Sequence, residues 1–302
     1  MKIVYMGTPL YAQNILTALA KDERISVAAV FTQPDKPVGR KKVMTSPEVK
    51  VEADSLGIPV YQPHNINDPE ALDVLRQIKP DFIVVAAYGQ LLKREILDMA
   101  PCVNLHASIL PAYRGASPIQ ETILNGDCYA GVTAMLMEEG LDSGEMLGFI
   151  YQEDIQTKRS EDLMDDLSIL AGELTIDVLT NFKNLRQLKQ RACDATHVKK
   201  RNKSEAEVEF DTALMIDRKY RAFYPWPGIF LPSKLALKQV SLHETASSNK
   251  PGVILEVAKD HIIVGCEKGS LRIDSLQAPS KKEMDAPSYI RGKRLSVGDT
   301  LS

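Results

Sequence analysis

The chain has 302 residues, 44% hydrophobic and 25% charged, the balance of a folded soluble protein of one or two domains, which excludes disorder throughout. Its longest clean apolar runs, such as Phe82 to Ala87, fall far below the about 18 residues of a transmembrane helix, and Met1 to Pro9 is too short for a secretory core, so a cytoplasmic location is expected. The net charge of −3 conceals an asymmetry: residues 1–182 hold 15 Lys and Arg against 26 Asp and Glu, net −11, whereas residues 183–302 hold 22 against 14, net +8.

Lys2 to Met6 reads as a short strand, Leu10 to Lys21 places Ile15, Leu16 and Leu19 at helical spacing, and Ser26 to Phe31 is again strand-like. This β-α-β unit is followed by a helix near Pro47 to Leu56, a strand near Ile58 to Tyr61, a helix over Pro69 to Ile78 and the continuous apolar strand Phe82 to Ala87. Strands without alternation are buried on both faces, so the first half is predicted to be a doubly wound, mostly parallel α/β sheet. Its first turn, Gly7-Thr8-Pro9, lacks the G-x-G-x-x-G fingerprint, and no G-x-x-x-x-G-K-[ST] occurs. A nicotinamide cofactor or a nucleoside triphosphate is therefore disfavoured, although a ligand is still expected beyond the carboxyl ends of the strands.

Ser160 to Leu185 is predicted to be one long helix. Residues 183–203 then set Lys183, Arg186, Lys189, Arg191, Lys199, Lys200, Arg201 and Lys203 against a single acid, Asp194. Such a stretch can attract phosphates or can be a solvated linker, and on charge alone the two readings are even. A short helix near Thr212 to Phe223 precedes Phe223-Tyr224-Pro225-Trp226-Pro227-Gly228 and a series of short strands at Ile229 to Leu237, Gly252 to Val257, Ile262 to Cys266 and Ser270 to Leu276. These predict a smaller C-terminal β-barrel. The organisation expected is a catalytic domain over 1–185, a basic linker over 186–203 and a second domain over 204–302. Cys102, Cys128, Cys193 and Cys266 show no C-x-x-C pair or metal spacing, and are read as reduced and structural.

Val103-Asn104-Leu105-His106 reads as a strand that dissolves into a loop at Ser108 to Pro111. Alternate strand residues share a face, so Asn104 and His106 point the same way. An amide donor can stabilise a developing oxyanion, and an imidazole can give or take a proton near neutrality. A lone Asn-x-His is more often local hydrogen bonding than catalysis. A second candidate is Asp142 in the loop Glu138-Glu139-Gly140-Leu141-Asp142-Ser143-Gly144, where glycines permit close approach to a ligand; the plain alternative is a surface turn. Without a nucleophile elbow, Asn, His and Asp suit direct transfer to an amine or water better than covalent catalysis.

The run Asn104-Leu105-His106-Ala107-Ser108-Ile109-Leu110-Pro111, followed by Arg114-Gly115 and by Asp142 36 residues after the histidine, resembles the folate-dependent formyltransferases. Met6-Gly7-Thr8-Pro9, the inserted loop Phe31 to Lys42 and Tyr224-Pro225-Trp226-Pro227-Gly228 extend the similarity over nearly the whole chain to members that formylate methionyl-tRNA. Ile109 stands where leucine is commoner, and the inserted loop has one glycine fewer than expected. The resemblance implies a formyltransferase-like Rossmann variant with an OB-like C-terminal domain, catalytic Asn104, His106 and Asp142, and folate contacts at Ser108, Ile109, Leu110 and Pro111, with Tyr88 to Leu92 near the pterin. It implies 10-formyltetrahydrofolate as donor, initiator methionyl-tRNA as acceptor partner, and no metal. The charge asymmetry fits tRNA binding by the basic linker and C-terminal domain, helped by Arg40, Lys41 and Lys42 of the inserted loop.

Competing readings are a formyltransferase acting on an amino sugar, a ribonucleotide or another small amine, a hydrolase releasing formate from the same donor, and a non-catalytic RNA-binding protein that senses folate. The enzymes would keep the triad without needing the basic linker and loop.

Overall fold

The computed structural model describes residues 1–39 and 41–301. The chain divides into two compact units: Met1–Ile119, Cys128–Asp154 and Asp162–Lys199 form the first, and Gln120–Asp127, Ile155–Glu161 and the residues from Lys200 onward form the second.

From the N-terminus, β1 (Lys2–Gly7), α1 (Leu10–Lys21) and β2 (Ser26–Phe31) make the predicted β-α-β unit. A short hairpin follows, β3 (Lys36–Val38) and β4 (Val43–Thr45), then α2 (Glu48–Ser55), β5 (Val60–Tyr61), α3 (Pro69–Ile78) and β6 (Phe82–Ala86). The chain continues through α4 (Arg94–Leu97), β7 (Cys102–His106), β8 (Arg114–Gly115), α5 (Pro118–Asn125), β9 (Tyr129–Leu136), β10 (Met146–Glu153), α6 (Ser160–Asn181) and β11 (His197–Val198). Seven strands form one sheet in the order β10-β9-β7-β6-β1-β2-β5. The pairs among β7, β6, β1, β2 and β5 are parallel, whereas β9 runs antiparallel to β7 and β10 antiparallel to β9.

The continuous apolar strands are buried as their composition requires: Ile3, Val4, Tyr5 and Met6 of β1 and Ile83, Val84 and Ala86 of β6 have no exposed surface. Helix α1 turns Tyr11, Ala12, Ile15, Leu16 and Leu19 inward. Gly7 makes the β1–α1 turn possible, since a β-carbon there would lie 2.6 Å from Ala12 Cβ and 3.0 Å from the Ala86 carbonyl oxygen. Pro69 opens α3, and Lys79 closes it in the left-handed conformation before Pro80.

The expected helix over Ser160 to Leu185 ends at Asn181 and continues as one 3-10 turn, Phe182–Asn184. Asn181 donates its side-chain amide to the Asp177 carbonyl at 3.0 Å, the local competition by which asparagine weakens a helix end. The strand β10 was not foreseen. It is a sheet edge with Phe149, Tyr151 and Glu153 exposed in alternation, so it lacks the unbroken apolar run that marked the central strands.

The second unit adds α7 (Ala213–Ala222), β12 (Ile229–Phe230), β13 (Ala236–Glu244), β14 (Ile254–Val257), β15 (Ile262–Gly265), β16 (Ser270–Gln277), β17 (Met284–Asp285) and α8 (Ala286–Lys293). Its sheet is antiparallel, in the order β12-β13-β16-β15-β14, with β17 also on β16. Leu237, Ile254, Ile262, Leu271, Ile273 and Leu276 form its core with Ile216 of α7 and Ile290 of α8. The α/β unit with a smaller C-terminal β domain is the fold class expected, and the strands of that domain, expected as an OB-like barrel, pair as an antiparallel sheet. Among the described residues no helix is long and apolar enough to cross a membrane. Cys102 and Cys266 are buried, which pushes both thiols up to about 12, whereas Cys128 and Cys193 are exposed.

Candidate active site

Strand β7 carries Val103 and Leu105 into the core, leaving Asn104 half-buried and His106 7% exposed on the alternate positions. Its neighbour β9 runs the other way, with Asn104 opposite Met135 and His106 opposite Thr133. Beyond His106 the backbone turns back, and the Ser108 N–H donates to the His106 carbonyl at 2.9 Å. The Thr133 hydroxyl donates to the Ser108 carbonyl at 2.7 Å and accepts the Leu110 N–H at 3.0 Å. One buried hydroxyl thus holds both sides of the Ser108–Pro111 turn. Ser108 and Leu110 are buried, the Ser108 hydroxyl donating to the Ala112 carbonyl at 2.6 Å, while Ile109 and Pro111 are half-buried.

The loop bearing Asp142 leaves β9 after Leu136, which pairs with Val103 at the far end of β7 from His106. It folds back so that Asp142 Oδ2 lies 3.6 Å from His106 Nδ1. The same oxygen accepts the Gly115 N–H at 2.8 Å. On the other side of the ring, His106 Nε2 lies 2.9 Å from the Tyr113 carbonyl oxygen. Both ring nitrogens face oxygens, Nε2 within hydrogen-bond distance and Nδ1 just beyond it. Asp142 and Tyr113 both sit in the left-handed region, at φ of 48° and 60°, a conformation that costs energy and clusters at functional sites. The structure therefore brings His106 and Asp142 together and sets Asn104 two residues away on the same strand. The Asn104 amide makes no hydrogen bond among the described residues.

The basic stretch is anchored to this site. Leu188 exchanges backbone hydrogen bonds with Met146, both at 2.9 Å. Strand β11 lies parallel to β8, with His197 beside Arg114 and Val198 beside Gly115, and the Thr196 hydroxyl accepts the Tyr113 N–H at 2.8 Å. Gly115 adopts φ of +117°, and a β-carbon there would run into the Val198 carbonyl. Between these points Gln190 donates to the carbonyls of Asp142 and Gly144 and accepts from Arg114. Lys183, Arg186, Lys189, Arg191 and Lys199 remain exposed.

Three further features belong to the first unit. A depression of about 350 Å³ is lined by Arg94, Leu97, Asp98 and Met137 to Gly140, ending two residues before Asp142. Tyr88 and Leu92 are buried in the core, and the Tyr88 carbonyl accepts from Thr8 Oγ1 at 3.0 Å and Gln33 Nε2 at 3.2 Å. The β3–β4 hairpin exposes Lys41 and Lys42 beside Val38, Val43 and Met44; Arg40 lies outside the described residues.

Family models match the chain twice: Formyl transferase over residues 1–179 and Formyl transferase, C-terminal domain, over residues 200–294. The methionyl-tRNA formyltransferase of Sulfurimonas denitrificans is 54% identical over 302 residues, and that of Nitratiruptor sp. 51% over 303, each alignment covering 100% of both chains. The chain belongs to the methionyl-tRNA formyltransferase family. Its fold is also that of WlaRD, a sugar 3N-formyl transferase solved in the presence of dTDP and 5-N-formyl-THF, with a TM-score of 0.67 at 18% identity over 93% of this chain and 99% of that one.

Against this methionyl-tRNA formyltransferase background, four residues stand out that the sequence reading passed over: Tyr113, Thr133, Gln190 and Thr196. None belongs to a periodic pattern. Each meets the site through a contact that no local pattern marks, as Gln190 does with Asp142. The hairpin has a similar hidden support. Asp35, just before β3, accepts from Ser46 and Lys50, both at 3.0 Å, and from Gln62 at 2.7 Å. These contacts, Gln62 first, hold its carboxyl below the usual aspartate range.

Proposed function

We propose that this chain, acting in the cytoplasm, transfers the formyl group of 10-formyltetrahydrofolate to the amino group of methionine esterified to initiator tRNA. The observation that carries the reading is His106 set between the Asp142 carboxylate and the Tyr113 carbonyl, with Asn104 two residues before it on the same strand. The close relatives of equal length support the acceptor, and 5-N-formyl-THF in the WlaRD structure supports a folate donor.

In this reading the neutral amine attacks the formyl carbon, forming the new C–N bond and placing negative charge on the formyl oxygen. The Asn104 amide and the protonated His106 stabilise that oxyanion, an electrostatic contribution that is large in a partly desolvated site. Asp142 orients the imidazole and takes the proton released by the amine. His106 supplies a proton to the departing folate nitrogen as the old C–N bond breaks, giving tetrahydrofolate and formylated methionyl-tRNA. Ile109, Pro111 and the backbone of the Ser108–Pro111 turn would meet the folate, because Ser108 and Leu110 face inward. The acidic depression beside Met137 to Gly140 offers acceptors and apolar surface suited to the nitrogen-rich pterin.

Arg40, Lys41 and Lys42, the exposed cations of the basic segment and the domain over 204–302 would hold the tRNA, whose phosphates bind by releasing counterions. Incubation with labelled 10-formyltetrahydrofolate and charged initiator tRNA tests the reading: formyl-methionyl-tRNA should accumulate. Transfer to a nucleotide-linked amino sugar in preference to the tRNA would instead favour the small-amine reading.

A further inference from the structure

We propose that Gln190 is a positioning residue for Asp142, making the basic segment a structural part of the active site; this rests on the catalytic role given to Asp142 above. Gln190 is half-buried between Lys189 and Arg191, whose side chains are exposed. Its Nε2 donates to the carbonyl oxygens of Asp142 at 2.9 Å and Gly144 at 2.8 Å. Its Oε1 accepts from Nε and Nη2 of Arg114 at 3.0 and 2.8 Å. A primary amide has two N–H groups and two lone pairs, and these four bonds engage all of them, with the Met135 sulfur a further contact of Nε2 at 3.9 Å. The orientation is dictated: turned over, the amide would set its N–H groups against a guanidinium and its oxygen against two carbonyls.

The arrangement grips the Asp142 loop through its backbone carbonyls, apart from the contacts of the carboxylate itself. Asp142 sits at φ of 48°, and the two bonds from Gln190 hold the backbone on both sides of Ser143. Through Arg114 the same side chain is tied to the residue preceding Gly115, whose N–H holds the Asp142 carboxylate. The 3.6 Å between Asp142 and His106 is longer than a hydrogen bond, so a small shift of this loop decides whether the two engage. A displacement of about 1 Å in a catalytic constellation can cost on the order of a hundredfold in rate.

Two variants of the full-length protein separate positioning from tethering. Gln190→Glu keeps an acceptor for Arg114, and so keeps the segment attached, but places an oxygen against the Asp142 and Gly144 carbonyls. Gln190→Ala removes both sets of bonds. With methionyl-tRNA and 10-formyltetrahydrofolate as substrates, kcat is expected to fall roughly 10- to 100-fold in both, while KM for each substrate and the thermal midpoint of Gln190→Glu stay near wild type. In an Asp142→Asn background, adding Gln190→Glu should lower kcat little further, the non-additivity of residues acting through one another. Wild-type kcat for Gln190→Glu, or a full multiplicative loss on top of Asp142→Asn, overturns the positioning role alone. Normal turnover by Asp142→Asn itself overturns the catalytic assignment and this proposal with it.

Discussion

Asp142 accepts the backbone N–H of Gly115 at 2.8 Å through the same carboxylate oxygen that faces His106 Nδ1. The acid is thereby aimed by a strand pairing, β8 with β11, formed from residues far from it in sequence.

Asp142→Asn preserves the shape and an oxygen for Gly115 but removes the charge. We predict a loss of at least about a hundredfold in kcat, in the range of a missing general acid/base partner, with the thermal midpoint little changed. Asn104→Ala should lose about 3 to 4 kcal/mol of transition-state stabilisation, the cost of an oxyanion donor, without weakening folate binding. Steady-state kinetics and folate titration of both folded variants check this; near-normal turnover of either contradicts its role.

Thr133→Val is nearly isosteric yet strands the Ser108 carbonyl and the Leu110 N–H. Leaving a buried polar group unpaired costs about 1 to 3 kcal/mol. Chemical denaturation should register that loss, and KM for the formyl donor should rise more than KM for tRNA. Unchanged stability and unchanged donor KM would mean the turn does not depend on this hydroxyl.

Lys41 and Lys42 are exposed on the hairpin, with Arg40 next to them in sequence. Removing a cation that neutralises one phosphate should flatten the salt dependence by about one unit of slope. Arg40→Ala is expected to impair transfer to methionyl-tRNA, Arg40→Lys to restore it partly because a lysine lacks the planar fork, and Lys41→Ala with Lys42→Ala to flatten the slope further. Folate affinity should be unaffected. The measurement is kcat/KM for charged tRNA over a salt series, and wild-type slopes throughout would make the hairpin a merely solvated charge run.

Asp35 ties the hairpin base to α2 and to Gln62. Its folded pKa is lowered, first by Gln62 and then by Lys50. A depressed carboxyl contributes stability that is present above its unfolded pKa, about 3.9, and lost as pH falls through the lower folded value. A carboxylate titration by NMR should place the midpoint below that of a free aspartate; a midpoint at or above it contradicts the clamp. Asp35→Asn should raise KM for tRNA selectively.

The central sheet was legible because its strands are buried on both faces and so leave unbroken apolar runs, as in Ile3 to Met6 and Ile83 to Ala86. Asn104 and His106 were legible as candidates from strand alternation alone. Asp142 entered on weaker grounds, a loop acid between glycines, because its reach to His106 depends on a fold-back that no local pattern records. Gln190 was invisible for the same reason, lying in a stretch whose dominant signal is charge. That charge hid the segment's backbone pairing: Leu188, Thr196 and Val198 bind it to the first unit while the surrounding cations face solvent. Segments Gln120–Asp127 and Ile155–Glu161 likewise group with the second unit, an arrangement set by tertiary packing that sequence order does not express.

The most direct test of the account is a rapid-quench single turnover with labelled 10-formyltetrahydrofolate and methionyl-tRNA, both saturating, comparing the wild-type chain with His106→Ala. The account predicts formyl-methionyl-tRNA in the first turnover of the wild type and a chemical step about a hundred- to ten-thousand-fold slower in the variant, with donor and acceptor affinities retained. An equal rate in the two proteins, or no transfer to the tRNA by the wild type, would contradict it.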